Sequence, residues 1–337
     1  MPSKKLIIPS NNQPWKSQLW KAEMRGAFHN SKSLLEFLKL PYSKKFEDNG
    51  FSTLVTKTFA RRMESSYEDP LLKQVLPDPK EQDSHPDFVA DPLNEFSDLS
   101  QNSSNILQKY NKRALLITSN ACAINCRYCF RRHFPYKLHR PKTVEQAIKE
   151  IGLDTSINEL ILSGGDPLLL DDKNLDRIFQ EIEAIKTIKT IRIHTRLPIV
   201  LPQRISEGFL DALNRINKKL VIVVHTNHSN ELNDETQRAF NYLKKSGAFL
   251  LNQSVLLKGI NDNAETLIDL SNKLFDQSVL PYYLHLPDKV ANTAHFFIDT
   301  TQALAIHKKM QANLSGYLLP NLVREIPGQP SKTIIST

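Results

Sequence analysis

From about residue 114 onward two periodicities take turns along the chain. Short strand-like runs occupy 114–118, 159–162, 190–194, 220–225, 249–255 and 279–285, and each predicts a strand. Between them, apolar residues recur at helical spacing over 143–151, 173–185, 207–216, 233–246 and 264–275, and these predict helices. Strands alternating with helices give a parallel sheet, because each parallel pair needs a crossover connection. An open α/β sheet and a barrel both satisfy this pattern. The groups with chemical potential follow the ends of successive strands, and only a curled sheet brings such ends to one mouth. The expected fold class is therefore α/β, a partial TIM-like (β/α)6 barrel.

The first hundred residues read differently. Helical periodicity covers 15–24, 31–38 and 53–63, and a stretch rich in Pro, Asp and Ser then runs from 69 to 104 with Pro70, Pro77, Pro79, Pro86 and Pro92. Proline at that density opposes helix and central strand, so extended chain lying on the surface is expected. The organisation expected is an N-terminal helical and Pro-rich region over 1–104, a barrel over 105–315 and a C-terminal segment over 316–337.

Composition narrows the class without naming it. The chain has 337 residues, 40% hydrophobic and 24% charged, as ordinary globular proteins do. No apolar run reaches the length of a membrane span, and the opening residues Met1 to Pro9 lack a secretory hydrophobic region, so a cytoplasmic protein without a membrane partner is expected. A net charge of +8 admits an acidic partner, but no basic block interleaved with aromatics accompanies it, so no nucleic acid is expected.

The three cysteines change the picture. Cys122, Cys126 and Cys129 all lie in Asn120-Ala121-Cys122-Ala123-Ile124-Asn125-Cys126-Arg127-Tyr128-Cys129-Phe130, directly after the first of the regular strands. An odd number in one loop cannot close into disulfides. Free cysteine can pack as a small hydrophobe, but Asn125, Arg127, Arg131 and Arg132 make this a poor core segment. Zinc would need a fourth ligand, and His133 is too near in sequence for the part; a structural zinc site completed by His133 or His139 is an alternative. Three thiolates suit a cubane iron–sulfur cluster with one open iron. After the next strand comes Ser163-Gly164-Gly165-Asp166-Pro167, whose glycines would let backbone approach a ligand and whose Asp166 could accept from an ammonium group.

The cysteine spacing, with Tyr128 before the last thiol and the Gly-Gly-Asp turn after the next strand, resembles the radical S-adenosylmethionine (SAM) enzymes. His225-Thr226-Asn227-His228, Asn252-Gln253-Ser254, Val200-Leu201-Pro202-Gln203-Arg204 and Pro281-Tyr282-Tyr283 narrow the resemblance to the lysine 2,3-aminomutases, from about residue 105 to the end. That resemblance implies the partial barrel and three cofactors: a [4Fe–4S] cluster on Cys122, Cys126 and Cys129; SAM held by Gly164, Gly165, Asp166, His225 and Gln253; and pyridoxal phosphate (PLP) anchored on Lys332, the implied catalytic lysine. Arg113 matches a position for the PLP phosphate. For the L-lysine substrate it implies Arg131 on the carboxylate and Asp288 with Glu325 on the ε-ammonium.

Two departures stand out. Gly328-Gln329-Pro330-Ser331 replaces a glycine-rich run before the lysine, and Glu325 stands where the family carries Asp. The sequence stops at Thr337, without the zinc-binding tail of the longer aminomutases. In this it resembles the short bacterial forms whose β-lysine is used, with a downstream lysyl ligase, to modify elongation factor P. The resemblance further implies a flavodoxin or reductase as electron donor and leaves a homo-oligomer open. Free β-lysine for metabolism and a radical SAM RNA-modifying activity are the alternatives.

Overall fold

The computed structural model of the chain describes residues 13–96, 105–135 and 143–336. A nine-stranded sheet runs in chain order: β1 (Ile106–Leu107), β2 (Arg113–Ser119), β3 (Glu159–Gly164), β4 (Thr190–Thr195), β5 (Lys219–His225), β6 (Phe249–Val255), β7 (Leu280–His285), β8 (Asn321–Arg324) and β9 (Thr333–Ile334). The six expected strands are β2 to β7, all parallel. The sheet gains a further parallel strand in β8, and β1 and β9 pair antiparallel on its two edges. The fold is thus of the α/β class expected, with a seventh parallel strand.

The crossover helices form where apolar spacing and caps agree. In Asp172–Ala184, Asp171 accepts from the Asn174 amide, and Leu175, Ile178, Phe179 and Ile182 bury one stripe. Thr143 and Gln146 cap Val144–Leu153 reciprocally, and Asn233 and Asn263 cap Asp234–Lys245 and Ala264–Asp276. The helix expected over 207–216 ends at Leu213. A long helix, Thr300–Asn313, crosses from β7 to β8 with Ala303, Ile306 and Met310 buried.

That the sheet curls is visible in contacts between its opposite ends. Tyr110, just before β2, donates its hydroxyl to Glu325, just after β8, at 2.5 Å. Such a contact needs the first and last parallel strands to approach across an open lumen. Strand alternation then directs one side chain set under the helices and the other into that lumen.

The front of the chain is bonded to this barrel through one continuous core. Trp20, Leu34, Leu35, Phe59, Leu71, Leu72 and Val75 share a cluster with Leu162, Ile193, Phe209 and Phe240 from the barrel. Helices form at Ser17–Arg25 and Ser31–Phe37, but the helix expected over 53–63 is a single turn, Lys57–Ala60. Thr56 starts it late: as the N-cap its hydroxyl accepts from the Phe59 amide and donates to the Val200 carbonyl, fastening the turn to the barrel. The expectation of surface chain from residue 69 is corrected for 69–76, where Asp69, Leu71, Leu72, Gln74 and Val75 are buried. Residues 97–104 of that stretch lie outside the described residues.

Candidate active site

The loop after β2 carries the three half-buried thiols. It is clamped to the front of the chain through its backbone, with the Asn125 amide donating to Leu54 O and the Arg127 amide to Gln74 O. Arg127, fully buried, pairs with Glu81, and Arg132 reaches the same carboxylate at 2.8 Å. On its other side the loop meets the turn after β3: Gly165 N donates to Ser119 O and Asp166 N to Ala121 O, both at 2.7 Å. A Cβ on Gly165 would lie 2.2 Å from Ala121 O, and one on Gly164, whose φ is +131°, 2.3 Å from Ser119 O. The two glycines are therefore required by the approach of one loop to the next.

Asp166 does something other than present itself to solvent. It accepts from the Leu168 amide, the Thr195 hydroxyl and the Arg196 amide, tying the ends of β3 and β4 together. Burial pushes its carboxyl up to about 6 despite those donors. Its neighbour Arg196 donates to the Cys126 sulfur, to Gln74 Oε1 and to Glu231. Glu231 also takes the amides of Asn227 and His228, and Asn227 donates to the Tyr128 hydroxyl at 2.6 Å. Sequence reasoning passed over Arg196, Gln74 and Glu231; the position of Arg196 one residue past β4 was the available signal.

Burial, then the neighbouring thiols, raises Cys122 well above the ordinary thiol range, and burial with Cys126 pushes Cys129 up to about 11. Such thiols become thiolates when a metal takes the place of their protons. The ring of His133 is engaged with the Ala291 carbonyl, and His139 lies outside the described residues. His228 closes a turn by accepting from the Asn230 amide.

Deeper in the lumen, the inward faces of β4 to β7 contribute His194, His225, Gln253, Tyr283 and His285. His225 and Gln253, opposite each other on β5 and β6, share a hydrogen bond of 2.9 Å. His194 and His225 meet edge to face at 5.9 Å, as Tyr283 and His285 do at 5.6 Å. Burial first, and nearby positive charge including Lys332, holds all three histidines below their usual range, His225 at about 3. They are neutral rings at physiological pH.

Lys332 comes into this lumen because the tail turns back along β8. The register Arg324↔Thr333 sets Lys332 opposite Glu325, with Nζ 2.5 Å from the carboxylate and 5.8 Å from the centre of the Tyr283 ring. Burial opposes ionisation of Glu325, but Lys332 and Tyr110 hold it below the ordinary carboxylate range. Asp288 faces the same cluster, and burial pushes it up to about 7, with Lys332 pulling down and Glu325 pushing up. Arg113 sits at the amino end of β2, stacked 5.0 Å over Tyr110. Arg131 is gripped by Glu95 through Nε and Nη2 at 2.7 and 3.0 Å, while Nη1 donates to Gly164 O.

Comparison with known proteins bears on this arrangement. Residues 116–271 match the model of the Radical SAM superfamily. The L-lysine 2,3-aminomutase of Buchnera aphidicola is 46% identical over 325 residues, covering 94% of this chain and 95% of its own. That of Escherichia coli is 45% identical over 286 residues, 84% of this chain and 83% of its own. The chain belongs to the lysine 2,3-aminomutase family. A more distant relative, the enzyme of Clostridium subterminale, is 33% identical over 268 residues, covering 79% of this chain and 64% of its own.

Lysine 2,3-aminomutases use a [4Fe–4S] cluster with SAM, together with PLP, and the residues here fit each. Among the described residues no three His, Cys, Asp or Glu side chains gather closely enough for a single metal ion. Three thiols on one clamped loop, each for a different iron, are the donor set of a cluster. In the lumen, Nε2 of His194 and of His285 are buried with no partner among the described residues. Such orphans are costly unless a ligand supplies the bond, and beside Lys332 they fit a polar aromatic cofactor.

Proposed function

We propose that this protein is a lysine 2,3-aminomutase that converts L-lysine to β-lysine. The observation that carries the reading is the convergence of Lys332, Glu325 and Asp288, linked through Lys109 and Glu95 to Arg131 on the thiol-bearing loop. Held there, the cluster would supply the electron that makes SAM a source of a hydrogen-abstracting radical, and PLP would supply the carbonyl on which the amino nitrogen is carried. The chain's own residues bind, orient and exclude water. Cys122, Cys126 and Cys129 would hold the cluster, and the turn at Gly164 and Gly165, with Asp166 beneath it, would shape the SAM side.

Lys332 would anchor PLP, with the neutral rings of His194, His225 and His285 around it. Release of Lys332 from Glu325 would leave two carboxylates, Glu325 and Asp288, for the ε-ammonium of the substrate. Arg131 would hold the α-carboxylate at the other end. Arg113, stacked on Tyr110, would be the candidate for the PLP phosphate.

The finer reading is that the β-lysine serves elongation factor P through a downstream lysyl ligase, in the cytoplasm, with a flavodoxin or reductase as electron donor. What supports it is the split in identity, 46 and 45% to the first two relatives against 33% to the clostridial one. Among the described residues no helix is long and apolar enough to cross a membrane. Deletion of the gene tests it: elongation factor P should lose a β-lysyl group by mass spectrometry, and added β-lysine should restore it. Unchanged modification, together with a defect in growth on lysine, would favour production of free β-lysine instead.

A further inference from the structure

Glu95 belongs to the Pro-rich front of the chain, which neither the cysteine pattern nor the lysine tail explains. Yet it is 3% exposed and lies against the barrel. Its two oxygens take Nε and Nη2 of Arg131, and Lys109 approaches Oε1 at 2.9 Å. Lys109 in turn stands 3.9 Å from Glu325, which holds Lys332. An alternating series, Arg131, Glu95, Lys109, Glu325, Lys332, thus joins the two ends of the substrate cavity. A charged carboxylate buried between two cations is expensive unless both pairings are kept. Burial would raise the Glu95 carboxyl, but Arg131 and then Lys109 bring it down to about 2, so it stays ionised.

The side-on grip matters geometrically. With Nε and Nη2 on Glu95 and Nη1 on Gly164 O, the plane of the Arg131 guanidinium is fixed relative to both the Gly-Gly-Asp turn and the cavity. A freely rotating arginine would have to be ordered by the substrate at a cost in affinity.

We infer that Glu95 is a positioning residue of the amino-acid site, orienting Arg131 for an α-carboxylate and coupling it through Lys109 to the carboxylate that meets the far ammonium. This rests on the proposed lysine reading. It assigns to the N-terminal region a direct part in substrate affinity.

The test is calorimetric titration of L-lysine into the holoenzyme carrying cluster, SAM and PLP, with kcat and KM beside it. Glu95→Gln should weaken lysine binding by about tenfold or more, since the bidentate ion pair is reduced to one bond to an amide oxygen and the amide nitrogen cannot accept from the guanidinium. KM should rise in step, while kcat, iron content and PLP absorbance stay close to the wild type. Glu95→Asp should fall between the two. In an Arg131→Lys background, which lacks the fork, Glu95→Gln should add little. Equal lysine affinity in Glu95→Gln and wild type overturns the inference, as does full additivity with Arg131→Lys. If Glu95→Gln loads iron poorly, the loaded fraction decides: wild-type affinity there again overturns it. A wild-type enzyme that binds lysine without rearranging it refutes the functional reading, while the binding series still decides the role of Glu95; one that does not bind lysine refutes both.

Discussion

Single residues here carry readable chemistry only in their company. Lys332, taken alone in a tail of Pro, Gly and Ser, has nothing to distinguish it from a solvated lysine, and its importance came from resemblance. The structure adds the contact with Glu325 and, within its electrostatic reach, three histidines held below their usual range by burial. Lys332→Ala should abolish the visible absorbance of bound PLP and the rearrangement while leaving iron content unchanged, because thiols and lysine sit on separate segments. Asp288 yields a second expectation, from its carboxyl near 7. If it receives the substrate ammonium, binding favours its ionised form, so lysine affinity should rise with pH up to about 7 and then level off. Asp288→Asn should flatten that profile and raise KM steeply, as loss of a buried charge partner costs on the order of 2–5 kcal/mol. A wild-type KM flat from pH 6 to 8 would remove Asp288 from the substrate site.

At the scale of elements, β2 to β7 were legible because each is a compact apolar run set between helices with clear caps, such as Asp171 and Asn263. The strands missed are those whose existence depends on neighbours. Asn321–Arg324 and Thr333–Ile334 are too short for a periodicity to show, and they form because β7 offers an edge that β8 takes and β9 then covers. The turn at Lys57–Ala60 failed as a helix for the opposite reason, since Thr56 diverts the chain to Val200. Close fit between elements also gives a test. Gly165→Ala would drive a methyl into Ala121 O, and the backbone there has no flexible side chain to move aside. The variant should fold, with a melting temperature lowered by several degrees, yet hold less iron and cleave SAM poorly. Normal iron and SAM cleavage would show that the two loops can separate without consequence.

For the molecule as a whole, the front of the chain was the least legible part. Its prolines do break regular structure, but burial of Leu71, Leu72 and Val75 is decided by barrel surfaces far away in sequence. The same holds for Glu81, which by itself looks like a surface residue after Pro79 and is instead held by Arg127 and Arg132 on either side of Cys129. The front therefore braces the loop that carries the three thiols. Glu81→Gln leaves a buried guanidinium without its counter-charge, a loss on the order of 3–5 kcal/mol. It should unfold at markedly lower denaturant and load cluster incompletely under anaerobic reconstitution. Wild-type stability and iron content would contradict the clamp.

The central claim, that one lumen unites the thiol-bearing loop with Lys332 and its carboxylates to rearrange lysine, has a direct measurement. The anaerobically reconstituted protein would be incubated with SAM, reductant, PLP and L-lysine deuterated at the β-carbon, and the products followed by mass spectrometry. The account predicts β-lysine formed only when all components are present, with deuterium appearing in 5′-deoxyadenosine. Deoxyadenosine released without deuterium, and no β-lysine, would contradict it.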